Sequence, residues 1–430
     1  MNPPEVQSGD SFKQSRGLLV VFFCLAAVIA YMQRTAIGGA ASLIQDSLGV
    51  SKARFGLIMS MYYWAYAVGQ IPAALLIRRI GTGRALSLSV GLASVFAAAT
   101  ALSGSWQLFA VLWLLTGVSI AGIFPACVRS ISTAFPAGHR AFPSGALTSA
   151  MSVGGGISSA MTGRMIQWLT GMAADPWRWV FLIYAIPGVI WAFVFYGWYR
   201  EPAVAADAQA AKVSDETAAN AAAPLDHSRW VFDYRTWLIC LQQFFRAAGY
   251  VFYATWFTSY LEEFHGITLV SAGVMTSFPL LGVVIGGIAG GWLCDLVEVR
   301  TGSRRLARQG AGVVCHVTCG LLILCAYFVS SPFMAVGLIT AGSVVFALGS
   351  SGSYAVNMDL GGKRAPELFA LMNMCGNIGA AISPFVVGKI VETSGWSPVL
   401  PFFSGLYFAA GTCWIFLRPG SGQVAIRSGH

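Results

Sequence analysis

Apolar segments of about 20 residues recur along this chain from residue 17 almost to its end, and they limit the fold more than any other feature. A bilayer core of roughly 30 Å requires helices of about that length. Charged residues make up only 10% of the 430 residues. That is too little charge for a water-soluble domain, in which roughly a quarter of the residues are charged. The sequence therefore predicts an all-α integral membrane protein.

The apolar segments predict twelve transmembrane helices. The spans are 17–42, 55–77, 82–103, 106–131, 144–169, 177–199, 236–261, 270–294, 309–330, 333–356, 368–392 and 397–417. The first apolar stretch follows a polar start with Lys13 and Arg16. It is too long for a signal-peptide core and has no evident cleavage site, so we expect it to remain as the first helix.

The net charge of +9 follows the positive-inside pattern of membrane proteins. Basic residues fall in alternate loops, whereas the opposite loops hold little beyond Lys52, Arg54 and Arg178. This pattern places both termini and the central linker in the cytoplasm. It also argues against nucleic acid as a partner and leaves membrane lipid as the expected surroundings.

The nine cysteines lie in or at the edge of predicted spans, without a metal-ligand spacing beside histidine. They are typical of small buried packing residues. We therefore expect no metal and no cofactor.

A polar, alanine-rich stretch at 201–228 divides the spans into six and six. The predicted domains are a cytoplasmic tail (1–16), an N-terminal bundle (17–200), a linker (201–234), a C-terminal bundle (235–417) and a second cytoplasmic tail (418–430). A weak repeat supports the division, because the segment beginning at Leu48 resembles the one beginning at His265 at an offset of 217 residues. Two pseudo-symmetric six-helix bundles are the architecture of major facilitator transporters, whose substrate site lies near mid-membrane between the halves.

Two arginines lie well inside predicted spans, Arg34 in the first and Arg246 in the seventh. A charge in the bilayer usually marks a polar cavity or a partner, and neither arginine has a carboxylate one turn away in its own helix. The bidentate guanidinium suits a carboxylate or a phosphate. Helical spacing places Tyr31 beside Arg34, and Tyr250 and Tyr253 beside Arg246. Alternatively, each arginine bonds helix carbonyls or extends its head group to the membrane surface.

Asn373 and Asn377 lie four residues apart in the eleventh span and share one face. Their amides suit sugar-like hydroxyls, or hold neighbouring helices together.

Several short motifs in both halves resemble the anion:cation symporter family of the major facilitator superfamily, in particular its vesicular glutamate transporter, sialin and bacterial sugar-acid transporter branch. The motifs are Trp64-Ala65-Tyr66, Gln70-Ile71-Pro72, Phe124-Pro125-Ala126, Phe244-Phe245-Arg246, Tyr260-Leu261-Glu262-Glu263-Phe264, Asn357-Met358-Asp359-Leu360-Gly361-Gly362-Lys363 and Ser383-Pro384. The resemblance covers nearly the whole chain. It implies that Arg34 and Arg246 bind substrate and that the protein lies in the bacterial inner membrane.

The sequence departs from that family at its proton-handling positions. Gln33 stands where bacterial members have an acid, Trp113 where they have an arginine, and Ile120 where they have a glutamate. His316 is the remaining candidate for a proton site, although a lone histidine near a helix start is more often structural. In the second half, Asp295 occupies the position equivalent to the family's loop aspartate. We therefore expect it to pair with a basic loop residue as a conformational latch.

The sequence therefore predicts a monomeric carrier of a small organic anion, most simply a carboxylate such as a sugar acid. An organic phosphate antiporter is the alternative carrier. A transporter-like ligand sensor is the alternative of another class, and the chain shows no recognisable output domain for it. An enzyme is not expected, because nucleophile, zinc and phosphate-loop motifs are lacking.

Overall fold

A computed structural model of the protein describes residues 9–136, 139–199, 233–303, 305–361 and 365–417. Its helices are α1 (Gly9–Gly39), α2 (Ala41–Leu48), α3 (Lys52–Ile80), α4 (Thr82–Thr100), α5 (Trp106–Ile120), α6 (Ile123–Ala134), α7 (Ala141–Leu169), α8 (Pro176–Trp198), α9 (Tyr234–Thr255), α10 (Phe257–His265), α11 (Leu269–Thr301), α12 (Ala311–Tyr327), α13 (Pro332–Gly361), α14 (Ala365–Ser394) and α15 (Val399–Phe416). A π-helical turn, Leu306–Gly310, precedes α12. The predicted all-α character is confirmed.

Each predicted span overlaps a described helix, and 9 helices of the described part are long and apolar enough to cross a membrane. The helices below that hydropathy level are α3, α7 and α9 with α10. Polar aromatic residues with Gln70 and Pro72 lower the hydropathy of α3, glycines and serines lower that of α7, and Arg246 with its neighbouring glutamines lowers that of α9. The count of twelve stays a prediction.

Local signals in the sequence account for several helix ends. The Ser51 hydroxyl accepts a hydrogen bond from the backbone N–H of Arg54 at 3.4 Å and caps α3. Ser105 caps α5 in the same way, through the N–H of Leu108 at 3.3 Å. Gly49 ends α2 with φ 60°, a left-handed backbone that glycine adopts without strain.

The described residues form two compact units, whose limits differ from those predicted at the linker. Unit one takes its described residues from Met1–Leu225, Tyr253–Leu281 and Pro384–Glu392. Unit two takes them from Asp226–Phe252, Gly282–Ser383 and Thr393–His430. The division into 17–200 and 235–417 stays a prediction.

In unit one, α1 packs along α7, α4 along α8, and α3 along α5. Glycine makes two of these approaches possible. A Cβ on Gly154 of α7 would lie 2.4 Å from the carbonyl oxygen of Val28 in α1, and one on Gly117 of α5 would lie 2.5 Å from that of Tyr62 in α3. The small residues of α7 thus serve close helix packing, as is usual in membrane bundles.

In unit two, α12 packs against α13 and α15. Side chains of α9, α13, α14, α15 and the residue after α15 form a core of Ile239, Cys240, Val356, Leu368, Met372, Trp414 and Leu417. Five of the nine cysteines are buried. This agrees with a packing role for most of them.

Candidate functional site

Arg34 lies five residues before the end of α1, where tyrosine rings surround its side chain. The guanidinium carbon lies 4.8 Å from the ring centre of Tyr31, 4.6 Å from that of Tyr63 and 5.9 Å from that of Tyr62. These distances are within the range of cation–π attraction. Tyr31 therefore lies where helical spacing predicted it, and α3 contributes two further rings.

Sequence reasoning missed Tyr62 and Tyr63, because helical spacing relates residues of one helix only. Both are buried, at 1% and 5% exposure. The signal for them was an aromatic pair in the middle of the second predicted span. Tyr62 also packs on Trp113 of α5, with ring centres 5.2 Å apart. The tryptophan that replaces the family's arginine thus supports one wall of the cage formed by Tyr31, Tyr62 and Tyr63 around Arg34, here called the tyrosine cage.

Gln33, which replaces the family's acid, connects three helices of unit one. Its buried amide nitrogen donates to the Ser94 hydroxyl of α4 at 2.9 Å and to the Tyr184 carbonyl of α8 at 3.1 Å. An ionised carboxylate has no proton to donate to a carbonyl. Ile120, at the other acidic position of the family, is 3% exposed at the end of α5. Both positions are built as neutral packing sites.

Arg246 lies in α9 and belongs to unit two. Its Nε donates to the Oε1 of Gln243 at 3.0 Å, which fixes the direction of the guanidinium. Among the described residues, no carboxylate lies within ion-pair distance of Arg246. Gln243 is a second residue that the sequence analysis did not identify, although it lies one turn before the arginine.

The two tyrosines predicted beside Arg246 fall in different units. Tyr250 is partly buried and belongs to unit two, whereas Tyr253 is 2% exposed, belongs to unit one and packs against Phe257 at 5.9 Å between ring centres. Their roles in binding stay predictions.

Asn373 and Asn377 lie in α14 and are partly buried. Further along α14, the Ser383 hydroxyl donates to the Ala248 carbonyl of α9 at 2.8 Å. A Cβ on Gly379 would lie 2.3 Å from the carbonyl oxygen of Phe244. This part of α14 therefore packs closely on α9, the helix that carries Arg246.

His316 is fully buried in unit two, and both ring nitrogens have partners. Nδ1 lies 2.8 Å from the Gly312 carbonyl, to which it can only donate. Nε2 therefore accepts from the Gln242 amide at 3.3 Å, and the Ser353 hydroxyl donates to the Oε1 of Gln242 at 3.3 Å. This arrangement suits a neutral structural imidazole, and the proton-site role stays an untested prediction.

Asp295 lies in α11, but its side chain is outside the described residues. Its predicted latch role therefore stays untested. Nearby, Arg308 pairs with Asp359 and lies 3.7 Å from a carboxylate oxygen of Glu298. Charged residues thus connect α11, the π-helical turn and α13 at this end of unit two.

Comparison with known proteins identifies the family of this chain. The profile of the Major Facilitator Superfamily matches residues 23–342 and 239–429. The chain is 28% identical to the D-galactonate transporter of Escherichia coli (94% of this chain and 95% of that protein). It is 28% identical to the probable sulfoacetate transporter of Cupriavidus necator (94% of each) and 27% identical to the hexuronate transporter of Bacillus subtilis (94% and 93%).

The fold also resembles that of a bacterial homologue of the human lysosomal transporter Spinster, solved in an inward-facing and occupied conformation. The TM-score is 0.72 at 17% identity, and the match covers 94% of each chain. At that identity the likeness concerns the fold alone. With the profile covering almost all of its helices, the chain belongs to the Major Facilitator Superfamily as an integral multi-pass membrane transporter.

Proposed function

We propose that the protein transports a small organic anion, a carboxylate such as a sugar acid, by alternating access. The observation that carries this proposal is the tyrosine cage around Arg34. Three rings within 6 Å of the guanidinium hold a positive charge inside a helical bundle. A fixed guanidinium binds a carboxylate with two parallel hydrogen bonds, and low-dielectric surroundings strengthen them.

Arg246 is proposed to bind substrate as well. Its Nε is occupied by Gln243, so the terminal nitrogens are the part of the fork that remains for an anion. Charged residues within membrane spans mark substrate or ion pathways more often than they serve packing. Tyr31, Tyr250, Tyr253, Asn373 and Asn377 are proposed to supply hydroxyls and amides to the rest of the substrate.

The similar transporters support a carboxylate. D-galactonate and hexuronates are sugar acids, and two of the similar transporters are named for these substrates. Sulfoacetate has no sugar ring but also contains a carboxylate. The group common to the three is the one that an arginine fork recognises, so we favour the carboxylate over the sugar hydroxyls as the required feature.

We further propose twelve spans with both termini in the cytoplasm, in the inner membrane of a bacterium, and a monomer as the working unit. The positive-inside pattern supports the orientation. The bacterial origin of the similar transporters supports the membrane.

Uptake into proteoliposomes tests the function directly. Purified protein is reconstituted and given radiolabelled D-galactonate, a hexuronate, sulfoacetate or glycerol 3-phosphate, with protein-free liposomes as control. We expect counterflow of at least one carboxylate and none of the phosphate ester. Uptake of the phosphate ester alone supports the antiporter alternative. A thermal shift by a carboxylate without counterflow in either direction supports the sensor and contradicts the proposal.

A further inference from the structure

A groove on the outer face of unit one lies between α4 and α8, with a cavity volume of about 430 Å³. The two helices run antiparallel, since Gly83 lies against Tyr199 and Gly91 lies against Ala192. Apolar atoms make up nearly all of its lining. Both helices are long and apolar enough to span a membrane, so the groove faces the acyl region.

Small residues form the floor of the groove and large ones form its walls. A Cβ on Gly91 would lie only 3.3 Å from that of Ala192, so the helices meet closely there. The walls stand out from this floor: Leu88 is 44% exposed, Val95 is 51% exposed and Phe193 is 75% exposed. The resulting channel follows the helix axes.

Two polar side chains lie at one end of this channel. Ser87 is 6% exposed, and its hydroxyl has no hydrogen-bond partner among the residues that the structure describes. Arg84 lies one turn before it and is exposed, and no carboxylate of the described ranges lies within ion-pair distance of its guanidinium. Arg78 and Arg79, in the last turn of α3, add positive charge at the same end.

We propose that this groove binds one anionic glycerophospholipid of the leaflet on the Arg84 side. Arg84 holds the phosphate, the Ser87 hydroxyl donates to an ester carbonyl, and one acyl chain lies along Leu88, Gly91 and Val95. The spacing suits this order of groups. Arg84 and Ser87 are three positions apart, about 4.5 Å along the helix axis, and Ser87 and Val95 are eight positions apart, about 12 Å. The latter distance fits within one leaflet, about half of a 30 Å core.

Charge distinguishes this occupant from a second copy of the chain. A second copy would bring its own positive end against Arg84, whereas an anionic head group neutralises it. Tyr196, which is 59% exposed beside Arg84 on α8, lies where membrane proteins concentrate aromatic residues at the head-group level. This site is separate from the proposed substrate site and goes beyond transport itself.

The first test uses the unchanged protein. Photoactivatable phosphatidylglycerol with a diazirine in its acyl chain is placed in nanodiscs with the protein, and crosslinked peptides are mapped by mass spectrometry. We expect enrichment in peptides containing 87–95 and 189–196 over that given by a phosphatidylcholine probe. An even distribution over the lipid-facing helices, or equal labelling by both probes, contradicts the proposal.

The second test compares variants by native mass spectrometry with phosphatidylglycerol and phosphatidylcholine. Arg84→Gln should lower retention of phosphatidylglycerol about fivefold, the contribution of one basic residue near an anionic surface, while Arg84→Lys retains most of it. Leu88→Trp should block the acyl channel. Arg300→Gln and Ile288→Trp, matched changes at exposed positions of unit two, should leave retention unchanged. Dimers that disappear in Leu88→Trp, with lipid retention unaltered, would instead identify a second copy as the occupant.

Discussion

The Nζ of Lys52 lies 2.5 and 2.6 Å from the two carboxylate oxygens of Glu263. This ion pair connects the first turn of α3 with α10 inside unit one. Beside it, the Oε2 of Glu392 in α14 accepts a hydrogen bond from the backbone N–H of Ala53 at 3.1 Å. A carboxylate near a helix N-terminus is favoured by the helix dipole. Three separate parts of the chain are thus held together by charge at one end of unit one.

Breaking this ion pair should have a small, salt-dependent effect on stability. Both side chains are about one-third exposed, at 28% and 32%, so the pair is expected to contribute about 0.2–1 kcal/mol. Lys52→Met and Glu263→Gln should each lower the midpoint of thermal unfolding in detergent at low salt. The exchanged pair Lys52→Glu with Glu263→Lys should recover part of the loss. A full loss that persists at about 1 M salt would show that packing, not charge, connects these helices.

Glu262, just beyond the predicted span 236–261, should make the stability fall as pH rises. Burial raises the pKa of this carboxyl to about 7, with a smaller contribution from the neighbouring charge of Glu263, against opposing effects of Ser42 and Lys52. The folded state then binds a proton more tightly than the unfolded state between the ordinary glutamate value of 4.5 and about 7. Stability is therefore highest below that interval and decreases through it.

Glu262→Gln should flatten this pH dependence, because the amide carries no titrating proton. The unfolding midpoint of the variant is expected to exceed that of the wild type at pH 8 and to differ little at pH 5. Asp46→Asn is the control, because it removes an exposed carboxylate of α2 that lies outside the Lys52–Glu263 pair. Identical pH profiles of Glu262→Gln and the wild type between pH 5 and 8 would contradict the assignment.

Much of this fold follows from the sequence, because an apolar segment long enough to cross the bilayer core must be helical. Each predicted span overlaps a described helix. Interactions across helices could not be derived in the same way. Tyr31 was found because it shares a helix face with Arg34, whereas Tyr62 and Tyr63 approach from α3, and only tertiary packing relates the two helices. The partner of Lys52 is 211 residues away. The glycines and serines that permit close packing also leave α7 below the hydropathy level of a membrane-spanning helix, although it lies at the predicted span 144–169.

Replacing either proposed substrate arginine by lysine should weaken binding while the charge is kept. Lysine lacks the planar fork, so Arg34→Lys and Arg246→Lys should each cost about 1.5–3 kcal/mol, the scale of a charge-assisted hydrogen bond. Isothermal titration with the carboxylate found by the uptake assay measures this. Arg54→Lys is a matched control, because Arg54 also stacks on an aromatic ring, that of Trp106 at 5.1 Å, but is exposed. Unchanged affinity in both site variants refutes the anion site.

The orientation in the membrane can be checked by cysteine labelling in intact cells. Cys325 is exposed, so the background protein has Cys325→Ser. An impermeant maleimide added outside should react with Gly104→Cys and His265→Cys and should miss Ser303→Cys and Asp215→Cys, the last in a segment outside the described residues. Membrane permeabilisation should then expose the second pair. The reverse pattern would place the termini outside the cytoplasm.

Two neutral residues of unit one lie at positions where the family that this chain resembles has proton-binding carboxylates. The amide of Gln33 donates hydrogen bonds to the Ser94 hydroxyl and to the Tyr184 carbonyl, and Ile120 is buried. His316 uses both ring nitrogens within unit two. A proton can drive transport only through a group that gains and loses it as the conformation changes. We therefore predict facilitated diffusion, exchange or coupling to another ion.

Proteoliposomes loaded at one pH and diluted into another test this prediction once the substrate is known. An imposed pH gradient should not drive uphill accumulation by the wild type, whereas substrate loaded inside should still accelerate exchange. Accumulation driven by the gradient alone, and retained in His316→Gln, would reveal a proton site elsewhere.

Ile120→Glu should introduce pH dependence, since the resemblance places a carboxylate there within the substrate cavity. Ile120→Gln, equal in size but without a titrating proton, should not. Because a buried carboxylate without a partner is destabilising, both variants must first show the wild-type elution volume and unfolding midpoint. A folded Ile120→Glu protein whose uptake is as insensitive to pH as that of Ile120→Gln would show that position 120 does not face the transport path.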